Sequence, residues 1–233
     1  MKRVSMLFAI IVLVGLLPAQ AAGAQLSAAG KIANPVTVEV VPPPGDPVTL
    51  VLDDGSVDNN IGIGGTLEMI WVNRFTPTEF PIELTEVQVY FASQGLVSVG
   101  HNMTLVVYEN TTGGNDPAVG ANLLGAYPVT VQAVDAWNVY PLATPLTLAG
   151  PGDVVIGVIG MEVPGTSYWP AAIDQTTTQT RSWAGWWASS PPPDPPVLPP
   201  PNWTLIDAYY PGNWMVRGYG TVVPVELMSL SVD

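Results

Sequence analysis

The sequence predicts an all-β protein, an antiparallel β-sandwich of jelly-roll-like type with about ten to twelve short strands. Three observations carry that prediction. Apolar and polar residues alternate over short runs, and no run sustains a helical period. Twenty-five prolines and twenty-three glycines punctuate the chain at short intervals, which opposes long helices. The 233 residues include no cysteine, so the fold must be held by burial alone, and a chain of this length can supply one large sandwich core.

The chain opens Met-Lys-Arg, is almost wholly apolar from Leu7 to Leu17, and reaches Ala22-Gly-Ala24 before Gln25. A basic start, a short apolar centre and a small-residue site predict a secretory signal peptide over 1–24. No later apolar run is long enough to span a bilayer as a helix. Residues 25–47 form an N-terminal flank, with a short strand at Val36–Val40 closed by Pro42-Pro-Pro-Gly-Asp-Pro47.

The sandwich is expected over 48–223. Val48–Leu52 alternates as a strand, whereas Asp53 to Gly65 is polar and glycine-rich and reads as a loop. Leu67–Phe75 is a strand. In Leu84–Phe91, Val87, Val89 and Phe91 share the core face while Glu86, Gln88 and Tyr90 share the other. Met103–Tyr108 repeats the pattern, with Met103, Leu105 and Val107 inward. Leu123–Val134 gives one or two strands and Trp137–Leu142 another, Pro145–Leu148 leads on through Ala149 to Asp153, and Val154–Ile159, apolar on both faces, suits a central strand. A loop carries Pro164 to Asp174, Arg181–Trp187 is a strand, and Gly212–Val223 closes the domain.

Cleavage after Ala24 leaves four basic against nineteen acidic residues, a formal charge of −15. So acidic a chain lacks the lysines and arginines that nucleic acid or an anionic membrane surface would require, and the mature chain is not expected to insert in a membrane. Without cysteine, thiol catalysis and cysteine metal sites are excluded.

Three segments taken together, Asp53-Asp-Gly-Ser56, Asn73-Arg-Phe-Thr-Pro77 with Pro81 to Phe91, and Gly212-Asn-Trp-Met-Val-Arg217, resemble an accessory β-sandwich domain of large secreted and cell-surface bacterial proteins. Such domains often stand beside peptidase or adhesin-like modules. The resemblance implies a fold over about Asp53 to Val223, no catalytic residue and no agreed ligand. Pro224-Val-Glu-Leu227 is similar to the linker that precedes C-terminal anchoring or sorting tails, so 224–233 reads as a linker stub. The proline run Pro191 to Pro201 departs from the family pattern, whose connection there is shorter.

Candidate sites follow from residue chemistry. His101, the one histidine, sits in a glycine-containing turn without a nucleophile elbow, and reads as an exposed turn residue rather than a general base. Paired carboxylates could hydrolyse glycosides, but Glu83, Glu86 and Glu109 fall where outward charges are expected. Asp53, Asp54 and Asp58, with Asp174 borrowed from elsewhere, could hold a structural calcium ion; the alternative is an Asx-rich turn that satisfies its own backbone. No other cofactor is expected. Arg74, Arg181 and Arg217 are each expected to pair with an acid. Sequons at Asn102, Asn110 and Asn202 read as chance matches.

The tryptophan stretch is the remaining candidate. Alternation puts Trp183, Gly185 and Trp187 on one face of its strand and Ser182, Ala184 and Trp186 on the other. Trp183, Trp186, Trp187 and Trp203 could form a stacking platform stiffened by the prolines, or the prolines could pack on the rings and cover them. The expected function is a non-catalytic secreted or surface module that binds an extracellular glycan or another cell-surface component. A structural spacer without ligand and a glycoside hydrolase are the alternatives.

Overall fold

A computed structural model describes residues 26–28, 30, 48–64, 67–161, 168–187 and 192–223. The signal peptide, the strand at Val36–Val40 and the linker stub lie outside the described residues. Those residues form an all-β, antiparallel sandwich-like fold. Fourteen strands are present among them, more than expected because β1 (Leu26–Ala28), β2 (Val48–Leu50), β12 (Thr204–Leu205) and β13 (Asn213–Trp214) have only two or three residues.

The largest sheet has six strands in the order β12-β11-β4-β9-β6-β7, where β4 is Glu68–Phe75, β6 Asn102–Asn110, β7 Asn122–Thr130, β9 Asp153–Met161 and β11 Ser182–Trp187. Facing it is a four-stranded sheet, β2-β14-β5-β8, with β5 Ile82–Phe91, β8 Ala136–Leu148 and β14 Val216–Val222. A third sheet, β1-β3-β10-β13, adds β3 (Asn59–Ile63) and β10 (Ala171–Asp174).

The main core lies between the two larger sheets. Met69 and Trp71 of β4, Leu105 and Val107 of β6 and Ile156 and Val158 of β9 join Leu84, Val87, Val89 and Val216 in one apolar cluster. The central strand β9 is flanked by β4 and β6, and it is apolar on both faces for the reason its sequence suggests. Its alternate residues Val155 and Ile159 belong to a second cluster on the outer face, with Ile70, Val72, Val106, Tyr108, Trp187 and Leu198.

Four expectations are corrected. Asn59–Ile63 is a fully buried strand, not part of a loop. Gly62 is there because the chain passes close: a Cβ at that position would lie 2.1 Å from the Tyr168 carbonyl oxygen. Asp174 ends strand β10 instead of lying in a loop. The strand expected at Trp137–Leu142 runs on to Leu148 as one long edge strand, where Pro141 and Pro145 are tolerated. The outer face of β5 is not solvated at its C-terminal half: Gln88 and Tyr90 are buried, and Tyr90 packs with Ala92, Ala172 and Met215 under the third sheet.

Candidate functional site

The tryptophan stretch falls on β11, and alternation there divides the rings as expected. Trp186 packs toward the main core beside Ala184, while Trp183 and Trp187 join the outer cluster. The proline segment lies over that outer face. Pro196 accepts a hydrogen bond from the Tyr108 hydroxyl at 2.8 Å, Leu198 is buried, and Trp203 stacks on Trp183 with centroids 5.5 Å apart. The Trp203 indole donates to Asp116 Oδ1 at 2.9 Å. Gly185 admits this cover: a Cβ there would meet Pro200 Cγ at 2.5 Å. Burial raises the Tyr108 hydroxyl's pKa well above the usual phenol range. Trp187 is buried, and Trp183, Trp186 and Trp203 are half-buried.

The acidic turn also assembles as the chain suggested, with Asp174 brought to it from β10. Asp174 Oδ2 accepts the Asp54 N–H at 2.9 Å and Oδ1 accepts the Thr176 N–H at 2.8 Å. Asp53 Oδ1 accepts the Gly55 N–H, Asp54 Oδ1 accepts from both the backbone and the hydroxyl of Ser56, and Asp58 Oδ2 accepts the Gln175 N–H at 2.8 Å. Asp53 also pairs with Arg217, whose guanidinium lies 4.0 Å from the Trp137 ring centroid. Burial raises the Asp174 carboxyl's pKa, while the Ser56 hydroxyl lowers that of Asp54. The carboxylates are spent on donors supplied by the fold, and among the described residues no group of three or more His, Cys, Asp or Glu is arranged to hold a metal ion.

The remaining single candidates resolve individually. Arg74 pairs with Asp153 at 3.6 Å, and Arg217 pairs with Asp53. Arg181 departs from expectation: it donates to the Thr76 hydroxyl at 2.6 Å, and among the described residues it has no acid partner. Glu83, Glu86 and Glu109 are half-buried rather than fully outward, with Glu86 bonded to Gln88 and Glu109 to Asn122. Asn110 is buried, its amide donating to the carbonyls of Pro117 and Val119, whereas Asn102 and Asn202 are exposed. His101 is half-buried instead of exposed, its ring 5.0 Å from that of Tyr168.

Where the proline cover stops, the outer face of the six-stranded sheet opens into a groove of about 510 Å³. Its floor crosses β4, β9, β6 and β7, with Thr104 opposite Ile159 on one side and Pro128 on the other. Pro192 marks the cover's edge, and Glu68, Gly100, His101 and Asn102 line the remainder. Asn102 and Thr104 make no side-chain hydrogen bond with the described residues, so an amide and a hydroxyl face open volume beside a carboxylate and an apolar floor.

Glu68 was not singled out by motif, and Asn102-Met-Thr104 only as a chance sequon. The signal was in the alternation. On the outer face of β6 the residues run Tyr108, Val106, Thr104, Asn102, and on β4 Val72, Ile70, Glu68. Both strands turn from apolar to polar at the same end of the sheet, which marks where the cover ends.

No family model matches the chain, and no curated protein matches it. Among solved structures, the chain is similar to the crystal structure of the cysteine protease and lectin-like domains of Cwp84, a surface layer associated protein of Clostridium difficile, with a TM-score of 0.53 at 15% identity. The likeness covers 78% of this chain and 37% of that one, so the chain spans little more than a third of its neighbour's length. At such identity the likeness is one of fold. It fits the all-β fold that the sequence predicts. No helix among the described residues is long and apolar enough to cross a membrane.

Proposed function

We propose that the chain is a non-catalytic accessory module of a secreted or cell-surface protein and that it binds a glycan in the groove at the edge of the proline cover. The groove carries this reading. Sugars offer hydroxyls to donors and acceptors and C–H faces to apolar surface, and Glu68, Asn102 and Thr104 beside Ile159, Pro128 and Pro192 supply both. The likeness to a chain that includes lectin-like domains of a surface-layer-associated protein supports the same class of role. The absence of catalysis is supported by His101, whose ring packs on Tyr168 rather than on a nucleophile.

A glycan array probed with the full chain tests the reading, alongside Thr104→Trp, which fills the floor, and Asn102→Ala, which removes an amide. Array binding that both variants lose, with an unchanged circular dichroism spectrum, is the expected result. Binding that survives both would move the site elsewhere.

One observation favours a spacer without ligand: all eight tryptophans are buried or half-buried. Iodide should accordingly quench the fluorescence only weakly. A blank array together with weak quenching would favour the spacer.

A further inference from the structure

We infer that the groove takes the free, non-reducing end of a glycan chain, its terminal sugar held inward and the chain leaving over the edge of the sheet, an inference that rests on the glycan reading of the same groove. The observation that carries it is that the groove has one mouth. Among its described lining residues the exposed ones, Gly100, Asn102 and Pro128, lie on β6, β7 and the turn before β6, whereas Glu68 of β4 and Ile159 of β9 are buried.

Directly paired residues give the slope. Across the outer face, Pro128 of β7 is opposite Thr104 of β6, and Thr104 is opposite Ile159 of β9. Pro128 is exposed, Thr104 half-buried and Ile159 only 3% exposed. Ile70 of β4 comes next in this row, and it is fully buried in the cluster that includes Leu198 of the proline segment. The row therefore closes under the cover at its inner end. At the outer end β7 is the last strand of its sheet, so no further strand extends the floor there.

Ile159 and Pro128 stand two strand spacings apart, roughly 10 Å, the length of about two sugar rings. A chain threading the groove from side to side would need a second exit beyond Ile159, and the buried Ile70 occupies that place. A chain end needs none. The innermost sugar can lay a C–H face on Ile159 and Pro192, and the free donors and acceptors follow outward, the Thr104 hydroxyl first and the Asn102 amide at the mouth. Pro128 then offers the second sugar an apolar face. An extended peptide fits this mouth less well, because Pro128 brings no N–H to the edge strand it would have to pair with. On a glycan anchored to a surface the reducing end is attached, which leaves the non-reducing end free to enter.

A glycan array tests this on the full chain, with its glycans immobilised through their reducing ends and each present with and without one further sugar at the non-reducing end. The hits that count are those that Thr104→Trp loses. They should share a terminal sugar whatever stands behind it, and the added sugar should lower their signal about tenfold or more, because the closed end has no room for it. In solution, the methyl glycoside of that terminal sugar should displace the chain from these hits. Hits that keep their signal with the added sugar, or that share an interior sequence rather than an end, overturn the inference and leave the glycan reading standing. So does a methyl glycoside that fails to displace them. A blank array overturns both. If Thr104→Trp fails to fold, every hit of the unaltered chain is scored, and the effect of the added sugar still decides.

Discussion

The acidic turn and the groove both carry polar side chains, and the fold spends the carboxylates of the turn while leaving the amide of Asn102 and the hydroxyl of Thr104 in the groove unspent. In the turn, Asp53, Asp54, Asp58 and Asp174 accept from backbone N–H groups, a serine hydroxyl and a guanidinium. In the groove, the amide of Asn102 and the hydroxyl of Thr104 have no partner among the described residues. A cluster of polar residues is therefore no guide to a binding site. What matters is whether donors and acceptors remain after the backbone has been satisfied. Variants in the turn should be felt in stability, and variants in the groove in binding.

The largest effect is expected from Arg217→Ala. It leaves the Asp53 carboxylate, almost fully excluded from solvent, without its counter-charge and strips a cation from the Trp137 ring. Breaking a buried pair from one side costs about 3 to 5 kcal/mol, which a denaturant titration would read directly. A change below about 1 kcal/mol would mean the pair is solvated like an ordinary surface bridge.

Asp174→Asn should cost less, about 1 to 2 kcal/mol at pH 7, because one of two accepting oxygens becomes an amide that cannot accept the Asp54 or Thr176 N–H. Its pH dependence is the sharper readout. Burial raises the carboxyl's pKa in the folded protein above its ordinary value of 3.8, so ionisation carries a cost that protonation relieves. The unaltered protein should gain stability relative to Asp174→Asn as pH falls from the raised value toward 3.8, with no further gain below it. A gain with rising pH would contradict the burial argument. Since these oxygens are already spent, a chelator should leave the melting temperature of the unaltered protein unchanged; a drop would show that calcium competes successfully with the backbone donors.

How far the sequence reaches is seen by comparing residues. Val87, Val89, Leu105 and Val107 are core residues that alternation identifies directly, and the two-faced apolar run of β9 announces a central strand with clusters on both sides. The split of Trp183 and Trp187 from Trp186 is likewise legible, since it needs only the period of two. Asn59–Ile63 is not legible as a strand: two asparagines and a glycine imitate turn chemistry, and the reason for the glycine is a backbone 2.1 Å from its missing Cβ, a contact between segments about a hundred residues apart. Asp174 could be suspected as a partner of the acidic turn by its chemistry, but not that it would bring acceptors to backbone donors. The groove escapes the sequence for the same kind of reason. It exists because the proline segment ends over one part of a sheet, and that coverage is set by long-range packing.

The smallest effect on stability should come from the groove. Asn102→Ala and Thr104→Ala alter side chains that hold nothing else in place among the described residues, and each should shift stability by no more than about 0.5 kcal/mol. Both positions keep their strand partners, Asn102 opposite Thr130 and Thr104 opposite Pro128 and Ile159, and backbone pairing does not depend on their side chains. If these two residues face a ligand, their loss should weaken glycan binding while the melting temperature stays put, the inverse of Arg217→Ala. A melting temperature that falls with either variant would show that the amide or hydroxyl is engaged by the fold after all. The groove would then belong with the acidic turn, as polar chemistry consumed in holding the sandwich together.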